Sequence, residues 1–122
     1  MDELAERFRP IAQAAADIGI GIVELEVIVD TRLVLACRTD DNTYLYVGDI
    51  AWLVSLRQER PEVLGQLVAG EWIGLVPVAR SLGLTVRQLY ATVDRGALPV
   101  HQLGKHLAMR RSDFERVRLL QT

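Results

Sequence analysis

Residues 74–120 read GLVPVARSLGLTVRQLYATVDRGALPVHQLGKHLAMRRSDFERVRLL, and the spacing of glycine, proline and apolar residues along this stretch decides the fold. Gly74 precedes a short helix with Pro77 in its first turn, where a missing amide hydrogen costs nothing. Leu75, Val78, Ala79 and Leu82 give that helix an apolar face. Gly83 ends it in a tight turn, Leu84 plugs the angle between helices, and Thr85 is placed to cap the next one. The spacing predicts a second helix over residues 86–95 that buries Val86, Leu89, Tyr90 and Val93 and leaves Arg87, Gln88, Ala91, Thr92 and Arg95 on other faces. Gly96 stops it, and Leu98 and Pro99 lead into a β-hairpin over residues 100–110 that turns at Gly104 and Lys105. Ser112 and Asp113 are expected to cap a last helix that faces Phe114, Val117 and Leu120 inward.

Upstream, Leu4, Phe8, Ile11, Ala12 and Ala15 follow a helical spacing over residues 2–18, with Asp2, Glu3 and Glu6 near the favourable end of the macrodipole. Pro10 predicts a kink or break in this helix, and Gly19 and Gly21 end it. Val23, Leu25, Val27 and Val29 alternate with Glu24, Glu26 and Ile28, the period of a half-buried strand. A turn at Asp30 and Thr31, a run over residues 32–38, a polar turn at Thr39 to Asn42 and a run over residues 43–47 complete a three-stranded antiparallel meander. Asp49 is expected to cap a helix to about Gln58, Pro61 suits the first turn of another, and Trp52 and Trp72 anchor the packing between them. The fold class is therefore α+β. Residues 1–73 form a small unit of one helix, a meander and two helices, and residues 74–122 form a second unit.

The formal charge of −2 hides an asymmetry. Up to Leu75 thirteen acidic residues stand against six arginines, a balance of −7, whereas from Val76 onward eight basic residues stand against three acidic ones, a balance of +5. A basic unit beside an acidic one is the pattern of a phosphate-binding module with a partner-binding or dimerising companion. No apolar run approaches the roughly 20 residues of a membrane span, and the opening residues lack the basic start and apolar core of a secretory signal, so a cytoplasmic address is expected. Cys37, alone in the chain, excludes an internal disulfide and reads as a small apolar residue in a strand.

The ordered set Ala79, Leu82, Gly83, Leu84, Thr85, Leu89, Tyr90, Gly96, Leu98, Pro99, Gly104, Arg110, Ser112, Asp113 and Phe114 resembles the pattern of the excisionase-type members of the MerR-like winged helix-turn-helix superfamily. The resemblance covers about two fifths of the chain and implies a DNA-binding domain over residues 74–122. It implies that Thr85, Arg87, Gln88 and Thr92 lie on or beside the recognition helix, with Arg87 and Gln88 near base edges. Arg95, Lys105, His106, Arg110 and Arg111 would hold the backbone, and the hairpin, with His101 on it, would act as the wing. Family members often carry basic residues where this chain has Val86, Ala91, Asp94, Leu107 and Ala108. A thinner DNA face of this kind implies weak binding by one copy and a homodimer paired through the N-terminal unit.

His101 and His106 flank the hairpin turn without a second cysteine or a carboxylate at ligand spacing, so no metal site is expected. Glu24 and Glu26 read as a solvated strand face rather than an acid–base pair. No phosphate loop or nucleophile elbow is present, and neither an enzyme nor a cofactor is expected. Two functions remain: a small transcriptional regulator or recombination-directionality factor that binds double-stranded DNA, and a protein-interaction adaptor that uses the winged helix as a scaffold.

Overall fold

A computed structural model describes residues 6–96 and 98–120. Residues 2–5 of the first expected helix lie outside that range. The chain is mixed α and β: the described residues hold seven complete helices and two three-stranded antiparallel sheets. In order these are β1 (Phe8–Pro10), α1 (Ile11–Ile18), α2 (Ile22–Asp30), β2 (Ala36–Arg38), β3 (Thr43–Tyr46), α3 (Val47–Glu59), α4 (Pro61–Val68), β4 (Trp72–Gly74), α5 (Leu75–Ser81), α6 (Val86–Asp94), β5 (Val100–Leu103), β6 (His106–Arg110) and α7 (Arg111–Leu119).

The first half departs from its sequence reading in three places. Phe8–Pro10 is a strand, and Pro10, extended at φ −56° and ψ 146°, is the break from which α1 starts. Residues 23–29 are helical rather than extended. Their β-branched side chains suit a strand by composition, but the residues that reach the core are Leu25, Ile28 and Val29, an i, i+3, i+4 set. The Glu24 carboxylate folds back to accept from the Gly21 amide at 2.8 Å, which starts the helix at the glycine expected only to end the previous one. The run over residues 32–38 is a strand only at Ala36–Arg38, because Thr31 turns the chain. Its buried hydroxyl donates to the Ile28 carbonyl at 2.5 Å and accepts from the Leu33 amide at 3.2 Å, and Arg32 follows at φ +63°.

The sheet that results is not a meander, since β3 lies between β1 and β2. Asp49 does not cap α3, which begins two residues earlier. Its buried carboxyl group accepts from the Leu35 amide at 2.8 Å and ties the β2 approach to the helix. Helices α1 to α4 and this sheet enclose one core, with Ile18, Leu25, Ile28, Leu45, Leu53 and Leu67 almost wholly buried.

In the second half the expected punctuation holds. Gly83 adopts φ +69° after α5, and Gly96 φ +71° after α6. Leu75, Val78, Ala79 and Leu82 are buried, as are Leu89, Met109 and Phe114, in a second core. Two expected inward residues are not inward: Val86 and Tyr90 are exposed, and Leu120 is exposed as well. Neither Ser112 nor Asp113 caps α7, which starts at Arg111 with Arg110 in the cap position.

The strand β4 had no counterpart in the sequence reading. It pairs with β6, Trp72 opposite Arg110 and Gly74 opposite Ala108, and so makes the hairpin β5–β6 into a sheet of order β4–β6–β5. Strand alternation then gives this sheet two different faces. Ile73, Val100, Leu107 and Met109 point into the second core, while Trp72, Leu103 and Ala108 pack on the first. The sheet is the shared wall between the two cores. Gly74 is required at that wall: its amide donates to the Thr31 carbonyl at 2.7 Å, and a Cβ there would stand 2.9 Å from the Arg32 carbonyl oxygen.

Candidate nucleic-acid interface

The outer surface of α6 begins at a well-made cap. The Thr85 hydroxyl accepts from the Gln88 amide at 3.1 Å, and the Gln88 side-chain oxygen accepts from the Thr85 amide at 2.9 Å. This reciprocal pair satisfies two amides that the first turn leaves without helical partners, a contribution of about 1 kcal/mol. It also commits the Gln88 carboxamide oxygen to the backbone. At the other end the Gly96 amide donates to the Val93 carbonyl at 2.8 Å.

With Leu89 pointing at the core, the 100° step per residue sets Arg87, Ala91 and Asp94 along the outermost ridge, Gln88, Thr92 and Arg95 on one flank, and Val86 and Tyr90 on the other. Arg87 is exposed, and among the described residues its guanidinium makes no hydrogen bond or ion pair. Arg95 is exposed and reaches only the Thr92 hydroxyl, at 3.5 Å, while that hydroxyl donates to the Gln88 carbonyl at 2.9 Å. Asp94 stands on the ridge with Arg87, without an ion pair among the described residues.

The hairpin residues are arranged differently. His101, His106 and Arg110 belong to the sheet face that carries Trp72, turned toward the first core. The Arg110 guanidinium lies over the Trp72 ring at 4.7 Å, and His101 meets the edge of the same ring at 5.3 Å. His106 packs on Trp52 of α3 with ring centroids 4.4 Å apart. Its Nε2 sits 3.3 Å from the Asp49 carboxyl group, buried but off the line a hydrogen bond needs. Trp52 and Trp72 therefore hold the hairpin against the core that α3 and α4 share, with the Trp72 indole donating to Gln66 of α4 at 3.0 Å.

The hairpin turn closes on the Trp52 indole. Gly104, at φ +65°, sits where a Cβ would meet the Trp52 Nε1 at 2.7 Å. Lys105 beside it is exposed and unpaired. Arg111, also exposed, donates to the Gly70 carbonyl at 2.9 Å, and its own amide donates to the Glu71 carbonyl at 2.8 Å.

Of the ten residues expected at a DNA surface, Thr85, Arg87, Gln88, Thr92 and Arg95 share α6 and its cap, whereas His101, His106 and Arg110 face the N-terminal part. The sequence offers no role for Arg32 or Arg80, two further arginines that line the groove beside α6 and have no side-chain partner among the described residues. Their only sequence signal is the excess of arginine after Val76, and Arg32 lies outside that region altogether. Among the described residues no group of three or more His, Cys, Asp or Glu side chains is placed to hold a metal ion, and no helix is long and apolar enough to cross a membrane. No family model, curated protein or solved structure matches the chain.

Proposed function

We propose that this chain binds double-stranded DNA, without catalysis, through the outer ridge of α6, as a small transcriptional regulator or recombination-directionality factor of the winged helix-turn-helix kind. The observation that carries the reading is an uncovered helix, fixed by a reciprocal cap at one end and a glycine turn at the other, whose outer face bears Arg87 and Arg95 without carboxylate partners among the described residues. A single helix presented in this way suits the roughly 12 Å width of the major groove, and arginine there reads guanine or holds phosphate. The helix, tight turn, helix, hairpin, helix order of residues 75–119 supports the same reading.

The inward face of the hairpin limits the strength of that contact. Five cationic or histidine side chains on the backbone would give a log–log salt slope of about −4 to −5, whereas with Lys105 in the groove beside α6 and Arg111 held on the Gly70 carbonyl, Arg87 and Arg95 alone give about −2 per chain. The test is a titration of labelled duplex DNA at several salt concentrations. The reading requires binding at low salt with a slope near −2 per chain, abolished in an Arg87→Ala/Arg95→Ala variant that remains folded. A folded protein that binds no duplex at low salt refutes it.

One observation favours the second reading, a protein-interaction adaptor: the residues that a wing would lay on phosphate are occupied by Trp52 and Trp72. Failure of the titration would leave the winged helix as a scaffold for protein contacts.

A further inference from the structure

Eight large apolar side chains stand exposed among the described residues, and six of them fall in two groups. One group, Leu35, Val76, Val86 and Tyr90, borders a groove between α6, α5 and the segment after α2. The groove is two shallow cavities of about 360 and 230 Å³ that share Arg32 and Val76. Arg80 lines the first and Lys105 the second, and none of the three cationic side chains has a hydrogen bond or ion pair among the described residues. The second group, Ile22 and Val23, lies on the first turn of α2, with Val23 75% exposed. Glu24 and Glu26 are exposed beside it, and Glu26 has no side-chain partner among the described residues.

The groups are complementary, one apolar and cationic, the other apolar and anionic. They also lie at opposite ends of one element. Val29 lines the groove, and Ile22 and Glu26 precede it by seven and three residues on the same helix stripe. Nine residues of α2 span about 13 Å, so the groove opens roughly two turns along from the anionic end.

We propose that this chain forms a two-fold symmetric dimer in which the α2 helices of the two copies run antiparallel, and Ile22, Val23 and Glu26 of each seat in the other's groove against Val76, Tyr90, Arg32 and Arg80. The opposite placement of the groups along α2 lets both contacts form at once, the condition for a closed, isologous pair. Burial of the exposed valines, Leu35 and Tyr90 supplies the apolar centre, and the unpartnered arginines take the carboxylates at the rim. Arg87 and Arg95 are not among the residues that make the pair, so pairing and the proposed DNA contact use different side chains.

Sedimentation velocity over a dilution series, with no DNA present, tests the dimer apart from the DNA reading. The expected result is a monomer–dimer equilibrium. An Arg80→Glu chain and a Glu26→Arg chain each turn an attraction into a repulsion at both symmetric contacts and weaken self-association by about tenfold. An equimolar mixture of the two restores it, because each reversed groove then meets a reversed α2. Val23→Asp, at an exposed position, weakens the pair without touching either cation. All three sites are on the surface, and far-UV circular dichroism checks that each variant is folded. A monomer at every concentration, a species larger than a dimer, or a dimer indifferent to both reversals overturns the proposal, as does a mixture that fails to recover.

Discussion

Substituting Gly104 by alanine asks one residue to report on whether the hairpin is docked. Two costs add at this position. The backbone stands at φ +65°, where a Cβ costs about 1–2 kcal/mol in any surroundings. The new methyl would also lie 2.7 Å from the Trp52 Nε1, well inside van der Waals contact, and pushing the indole or the hairpin away costs about 1–3 kcal/mol more. Gly104→Ala is therefore expected to destabilise the fold by about 2–5 kcal/mol, a large part of the stability of a small protein. The second cost depends on the indole and the first does not. In a Trp52→Leu background the same substitution should cost only the backbone share, which leaves a coupling of about 1–3 kcal/mol between the two sites. Urea unfolding of the four proteins, followed by far-UV circular dichroism, measures that cycle. Equal costs of Gly104→Ala in the two backgrounds, within about 0.5 kcal/mol, would refute the packing of the hairpin turn on α3.

Five other substitutions, at four positions, probe the helix, the cap and the buried carboxyl group. Ile28→Ala should cost about 2–5 kcal/mol in thermal unfolding while Val23→Ala, studied at concentrations where the chain is monomeric, should cost almost nothing, because helix α2 buries the first and exposes the second. A strand over residues 23–29 would give the reverse order. Thr85→Ala should lower stability by about 1 kcal/mol and Thr85→Ser by much less, since serine keeps the hydroxyl that accepts from the Gln88 amide. Asp49→Ala removes the acceptor of the Leu35 amide and should cost about 1–3 kcal/mol in urea unfolding, and a neutral result would show that water replaces the carboxyl group there.

The second half of the chain was legible because its boundaries are made by local chemistry. Gly83, Thr85, Gly96 and Gly104 each mark a turn or cap that needs few distant contacts, and the elements between them fall where those residues put them. Residues 22–30 were ambiguous for a physical reason: apolar side chains at 23, 25, 27, 28 and 29 satisfy a two-residue period and a helical one at once. The capping reach of Glu24 to Gly21 and the match of Leu25, Ile28 and Val29 to the core decide between them. The three-residue strand β4 was illegible because its partner lies more than thirty residues away in β6.

The candidate site divides along the same line. The positions of Thr85, Arg87 and Gln88 follow from the start of one helix. The orientation of His101, His106 and Arg110 is set by Trp52 and Trp72, which come from another part of the chain, and polar side chains on a hairpin read as solvent-facing until those rings are in place. Val86 and Tyr90 fit the helical stripe for burial, yet they border a groove instead of a core.

The central claim, that the ridge of α6 and not the inner face of the hairpin meets DNA, is tested most directly by the salt dependence of duplex binding in two single variants. Arg87→Ala is expected to weaken binding and to make the log–log slope shallower by about 0.9 per chain, while Arg110→Ala leaves both close to the unsubstituted protein. Loss of binding and of slope in Arg110→Ala, with Arg87→Ala unaffected, would contradict it.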